Sequence, residues 1–300
     1  MLHAAPIHDR HSGGAARPRG PWHPATHLAL LHAAPGFTVL AIGLAFGVVA
    51  GRHHLEPARL ALLAGLLATN QYAAGALNDA VDVERDVDAG RTADKPIPAG
   101  AISRRAVTAL ALASGVASLC FALALGPATL ALAAVGLACA WSYDLWLKGT
   151  AASVAPFAVA LPLVPLFGYG AAGRFPAVLW WAWPIGALAA VAVHLADSLP
   201  DVESDRAAGV NGLAPRLGVR AAAVLVALAY LGAVVIALLS GLAAGDAPLV
   251  LAGVALAGLL GLAALLAGAT GGQPGRRVAY RLLLAGLVAL ALGWAAAVRP

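Results

Sequence analysis

NDAVDVERDVDAGRTADKPIPAG, residues 78–100, sets six acidic side chains (Asp79, Asp82, Glu84, Asp86, Asp88 and Asp94) into a chain that is 61% hydrophobic. It follows an apolar run of spanning length, residues 57–82. A second such run, 176–197, leads into its one counterpart, HLADSLPDVESDRAAGVNGLAPRLG at 194–218, with Asp197, Asp201, Glu203 and Asp205. Ten of the fourteen Asp and Glu lie in these two segments. Acids gathered at the ends of two apolar runs mark the rim of a membrane bundle, where an uncompensated charge is costly and so needs a partner.

Outward from these segments, apolar runs recur at 26–50, 57–82, 105–125, 128–146, 151–172, 176–197, 218–240, 247–268 and 278–298, each close to the ~20 residues that cross a bilayer. A mean hydropathy of +0.84 with 11% charged residues lies outside the range of soluble domains. The expected fold is an all-α polytopic membrane protein, a bundle of nine transmembrane helices with a polar mouth facing the cytoplasm. Residues 1–24, rich in His, Pro, Gly and Arg, read as a disordered basic tail without a secretory signal; residues 25–300 read as a single transmembrane domain. Nine spans put fifteen Lys and Arg on the side of the N-terminus and of both acidic segments, and leave four on the other, a bias that marks the first side as cytoplasmic. The same scatter of basic loops accounts for the pI of 9.7 without nucleic-acid binding. Trp180, Trp181 and Trp183 then fall at the opposite face, as an aromatic belt. Cys120 and Cys139 sit in apolar runs with neither disulfide nor metal spacing and read as small core residues.

Asn78, Asp82 and Asp86 are spaced i, i+4, i+8, which keeps them on one helical face with Asp79 at its edge. Asp197, Asp201 and Asp205 repeat the spacing around Pro200, which interrupts the helix. Two clusters of hard oxygen ligands facing each other repel unless cations lie between them. Carboxylates with an amide suit Mg2+, which keeps waters and substrate phosphates in its coordination sphere. A diphosphate bridged by metal ions to both segments is the natural occupant. Lys95, Arg91 and Lys148 lie in loops on the same side and would bind its remaining oxygens, with the Tyr143 hydroxyl near them. A ligand with a diphosphate head at the mouth and an apolar tail among the helices, a prenyl diphosphate, satisfies every part. Glu84, Asp88, Asp94 and Glu203 read as solvated loop acids. Arg206 and Lys148 also serve as topological charges, and His194 reads as a hydrogen-bond partner inside the bundle rather than a metal ligand.

These residues resemble the UbiA superfamily of intramembrane prenyltransferases. NDxxDxxxD is met by Asn78, Asp79, Asp82 and Asp86; DxxxDxxxD by Asp197, Asp201 and Asp205; the basic-Pro-x-Pro-x-Gly turn by Lys95 to Gly100; and YxxxxK by Tyr143 to Lys148. DRAAGVNGLAPRLG is similar to the family's DRxxG…LG pattern, and the likeness extends over residues 25–298. It implies Mg-dependent ionisation of a prenyl diphosphate by two or more Mg2+, with Mn2+ as a substitute, and capture of the allylic carbocation by a small acceptor. Asp82, Asp201, Lys148 and Tyr143 would be the catalytic residues. The three-Asp second set speaks against protohaem farnesyltransferases, and its Ala196, Asp197, Ser198 and Leu199 against the menaquinone branch and its dihydroxynaphthoate acceptor. An aromatic, 4-hydroxybenzoate-like acceptor is the expectation. A glycerol-phosphate lipid acceptor and a terpene cyclase working without acceptor are the alternatives. A cation-coupled transporter would carry its acids at mid-membrane on broken helices in matching inverted halves, a pattern this chain lacks.

Overall fold

Runs of apolar residues in a bilayer leave the backbone no hydrogen-bonding partner but itself, and every regular element among the described residues is helical. The computed structural model describes residues 20–52, 55–88, 90, 92, 95–207, 209–244 and 247–298. Most of the expected tail, together with Arg91 and Asp94, lies outside them.

Among the described residues, seven helical runs are long and apolar enough to span: α3 (Pro57–Val81), α5 (Arg104–Leu125), the run Pro127–Leu147 that begins with α6 (Pro127–Ser142), the run Ala177–Ala207, α12 (Val219–Ala244), α13 (Ala247–Thr270) and α14 (Gly272–Ala297). The expectation of nine differs at two places. The first apolar stretch is split into α1 (Pro24–Leu30) and α2 (Ala33–Gly51), bent by 76°. His32 between them takes the left-handed conformation at φ 50°, which no helix continues through. Counting the bent pair as one span gives up to eight. The fifth stretch, 151–172, holds only α7 (Ala155–Ala160) and α8 (Leu163–Ala171), because Pro156, Pro162 and Pro165 remove backbone donors along it.

Small residues bring the helices together, as is usual where lipid supplies no hydrophobic drive between them. Ala189, Ala190, Ala192 and Ala196 are buried on α9 (Ala182–Ser198), which packs on α12. Leu63, Leu66 and Leu67 of α3 pack with Phe167 of α8, and Leu30, Ala76, Leu77, Ile102 and Val107 form a third cluster beside the first acidic segment. Leu228, Leu231, Leu259 and Leu266 point outward, as residues against lipid must. Cys120 is exposed with them rather than in the core, because it falls on the outer face of α5. Trp180 and Trp181 are exposed at the start of the run Ala177–Ala207, opposite its acidic end.

Candidate active site

The first acidic set straddles a helix break. α3 ends at Val81 and α4 (Val83–Asp88) follows, with Asp82 at the joint. The Asp82 amide bonds the Asn78 carbonyl at 2.9 Å and the Asp86 amide bonds that of Asp82 at 2.8 Å, so the i, i+4, i+8 register survives the joint. Asn78 Nδ2 donates to Asp82 Oδ2 at 3.0 Å. Asp79 is 2% exposed; its Oδ1 accepts from Lys95 Nζ at 2.6 Å and lies 2.9 Å from His32 Nε2. Lys95 also stands 3.9 Å from Asp86 Oδ2. It is carried there by a tight turn in which Ala99 and Ala101 amides bond the Lys95 and Pro96 carbonyls and Gly100 closes the turn at φ +71°. Glu84 points away into solvent and pairs with Arg104 at 2.6 Å; a backbone hydrogen bond, aided by that guanidinium, holds its carboxyl below the usual range.

Tyr143–Leu147 is a π-helix, closed by the Lys148 amide on the Tyr143 carbonyl at 2.9 Å. Five residues along an α-helix are about 140° apart around the axis; the wider turn brings Tyr143 and Lys148 to one side. Lys148 Nζ stands 5.7 Å from the centre of the Tyr143 ring, 3.2 Å from Asn78 Oδ1, and in contact with Asp82 Oδ2. Tyr143 packs edge-on against Phe157 at 4.7 Å, and Phe157 against His194 at 4.9 Å, so three rings line the space below the charges. Asp144, in the same π-turn, is 7% exposed and makes no hydrogen bond or ion pair among the described residues.

The second set follows α9. A 3-10 turn, Leu199–Asp201, and α10 (Val202–Ala207) carry it around Pro200. Asp201 Oδ1 lies 3.8 Å from Arg277 Nη2 and 3.4 Å from Gln273 Nε2, both at the start of α14. Arg206 donates to the Pro215 carbonyl and so ties α10 to the return loop and α11 (Leu213–Leu217). His194, 9% exposed, bonds the Ser153 hydroxyl at 3.0 Å.

A single cavity of roughly 1460 Å³ takes in both sets: Asn78, Asp82, Asp86, Asp197, Asp201 and Asp205 all line it, as do Lys95, Tyr143 and Lys148. Asp79 lies behind His32 and Lys95. Among the lining residues that sequence reasoning did not single out are His32, hidden in what reads as the edge of a span; Asp144, a lone acid in an apolar run; and Arg277, one topological charge among many. Whether Mg2+ suits these residues is answered by the donors. Asp79 Oδ2 is buried without a hydrogen-bond partner among the described residues, although Oδ1 has two, and hard anionic oxygens dominate the mouth. The donor set therefore fits. No three His, Cys, Asp or Glu side chains converge on one point among the described residues, since Lys95, Lys148 and Arg277 sit among the carboxylates.

The model of the UbiA prenyltransferase family matches residues 37–284. A digeranylgeranylglyceryl phosphate synthase of Methanopyrus kandleri is 36% identical over 180 residues, 56% of this chain and 63% of that one, so the match spans less than two thirds of that relative's length. The synthase of the same name from Natronomonas pharaonis is 31% identical over 210 residues, covering 69% and 73%. A 4-hydroxybenzoate octaprenyltransferase of Vibrio campbellii is 24% identical over 143 residues, 47% and 50%. Among solved structures, the apo UbiA homologue from Aeropyrum pernix superposes with a TM-score of 0.71 at 22% identity, over 86% of this chain and 96% of that one. The Archaeoglobus fulgidus homologue bound to DMAPP and Mg2+ gives 0.66 at 17% identity, over 88% and 99%.

Proposed function

This chain belongs to the UbiA prenyltransferase family, and we propose that it transfers a prenyl group from a prenyl diphosphate to a hydroxyl of a glycerol-phosphate lipid. The observation that carries the reading is the junction of two Asp sets and two lysines at one mouth of an otherwise apolar cavity. The acceptor is where this departs from the aromatic expectation: the relatives that match over the longer stretches, at higher identity, make a glycerol-phosphate ether, and the 4-hydroxybenzoate enzyme is the weaker match. Arg277 at the rim, a guanidinium fork beside Asp201, suits an anionic acceptor, phosphate or carboxylate alike, so the choice between them rests on the relatives.

Asn78, Asp79, Asp82 and Asp86 on one side, and Asp197, Asp201 and Asp205 on the other, would hold two or more Mg2+ ions, or Mn2+ in their place. The Archaeoglobus homologue bound to DMAPP and Mg2+ supports a divalent ion beside a prenyl diphosphate. When bound, the ions supply charge neutralisation that makes diphosphate a better leaving group. Lys95, Arg91 and Lys148, with the Tyr143 hydroxyl, bind the diphosphate oxygens and keep doing so as negative charge grows on them. The allylic C–O bond breaks with its electron pair leaving on the diphosphate. The rings of Tyr143, Phe157 and His194 face the developing cation, and the apolar walls keep water from trapping it. The acceptor oxygen then forms the new C–O bond and gives up its proton, with Asp201 the nearest base to Arg277. The Lys and Arg of the loops beside both acidic segments support a cytoplasmic, inner-membrane setting for this mouth.

Purified protein in detergent with Mg2+ is expected to release diphosphate from prenyl diphosphates and to yield a prenyl ether with a glycerol-phosphate lipid, and no adduct with 4-hydroxybenzoate. Chelation of the metal stops both. Arg277→Gln should raise KM for the lipid acceptor several-fold to tenfold, and leave KM for the donor unchanged. Mass spectrometry showing only a 4-hydroxybenzoate adduct, or a cyclised hydrocarbon, would sink the lipid reading.

A further inference from the structure

Beyond the charged mouth the cavity continues as an apolar shaft, and two helices measure its depth. On α14, Arg277, Tyr280, Leu284, Leu287, Ala291 and Trp294 line it at alternate spacings of three and four, with Val288 and Leu290 beside them, so one stripe of the helix follows the shaft from rim to bottom. Along α2 the lining runs from His32, just before the helix at the rim, to Phe46. At 1.5 Å per residue these stripes are about 25 Å and about 21 Å long.

The bottom is closed by aromatic rings held from behind. Phe46 and Trp294 are 2% and 3% exposed, with ring centroids 6.1 Å apart, and Phe46 lies 6.4 Å from the ring of Tyr169. Trp294 Nε1 donates to Ser240 Oγ at 2.9 Å, and the Tyr169 hydroxyl donates to the Val298 carbonyl. Trp294 and Tyr169 are thus pinned by hydrogen bonds, and Phe46, with none to make, is packed against both rings, so the three together resist being pushed aside by the end of a flexible chain.

We propose that Phe46 and Trp294 set the length of the prenyl chain this protein accepts, limiting it to about four isoprene units. This rests on the prenyl-diphosphate reading of the site. An extended isoprene unit advances about 5 Å, four backbone bonds of about 1.5 Å each shortened by their angles. With about 5 Å of the shaft given to the diphosphate, some 16 to 20 Å remains, room for at most about four units and short by about 10 Å or more for six. A longer tail must displace a pinned ring or fold back on itself in a space lined by packed side chains; a shorter one leaves apolar wall uncovered, at about 25 cal/mol per Å².

The test is a donor series of two to six isoprene units, each with Mg2+ and the same acceptor, with kcat/KM measured for diphosphate release. For the unaltered chain the value should climb to four units and fall at least tenfold by six. Phe46→Ala should move the maximum at least one unit longer. Ala291→Phe, which places a ring one turn above Trp294, should move it at least one unit shorter, and it keeps the test decisive if the Phe46 variant does not fold. An unchanged length profile in both variants, with turnover intact, would overturn the ruler alone. No diphosphate release from any donor would overturn the donor reading and the ruler with it.

Discussion

Asp82→Ala is expected to lower kcat/KM for diphosphate release by about a thousandfold, the upper end of what one preorganised group contributes to a developing charge. Asp82 is the residue on which the first acidic set converges: it is bonded by Asn78, by Lys148 and, at 3.5 Å, by Arg85, and it lines the cavity at the joint of α3 and α4. A structural role competes with this, because its removal leaves the Lys148 ammonium with the Asn78 carbonyl at 3.2 Å as its one side-chain hydrogen-bond acceptor among the described residues. Lys148 is 23% and Asp82 12% exposed, so removal of one partner also costs stability. A double-mutant cycle separates the two roles. If Asp82 served only to neutralise Lys148, then Asp82→Ala with Lys148→Met would be no slower than Lys148→Met alone. A metal-binding Asp82 predicts that the double variant is far slower than Lys148→Met, and that the electron paramagnetic resonance signal of bound Mn2+ in the presence of diphosphate is lost in Asp82→Ala and kept in Lys148→Met. Equal turnover in the double variant and in Lys148→Met would refute the metal role.

Most of the mouth was legible because its chemistry is periodic. Four-residue spacing among Asn78, Asp82 and Asp86, repeated at Asp197, Asp201 and Asp205, is a helix-face signal that survives the breaks at Asp82 and Pro200. Lys95 was legible because a Pro-x-Pro-x-Gly turn must fold back on what precedes it. Hydropathy, by contrast, records how apolar a stretch is and not whether its backbone is straight. The bend at His32 and the proline-broken stretch that holds α7 and α8 therefore both passed as whole spans. Asp144 and Arg277 were missed for a different reason. Each is a single charge without a periodic partner, and only the π-turn in one case and the packing of α14 beside Asp201 in the other bring them to the cavity. Asp82, Lys148, Asp201 and Arg277 reach the rim from distant segments, and no local pattern encodes that meeting.

The broken fifth stretch also yields the largest expected effect on stability, Gly168→Val. A Cβ built on Gly168 would stand 2.5 Å from the Gly47 nitrogen and 2.7 Å from the Phe46 carbonyl carbon, both backbone atoms of α2. Backbone cannot rotate out of the way as a side chain does, so α8 and α2 must separate. Overpacking of an ordinary core costs up to about 3 kcal/mol, and a clash with main chain should reach or exceed that figure. The same displacement moves Phe46, so the variant should lose both its melting temperature, by several degrees or more in detergent, and its discrimination against long donors. Gly258→Ala is the control, because its Cβ meets nothing within 4 Å and lies inside α13; it should melt at or slightly above the unaltered temperature. Melting of Gly168→Val alongside that control would show that α8 does not press on α2 as described, and would remove the mechanical support on which a fixed Phe46 depends.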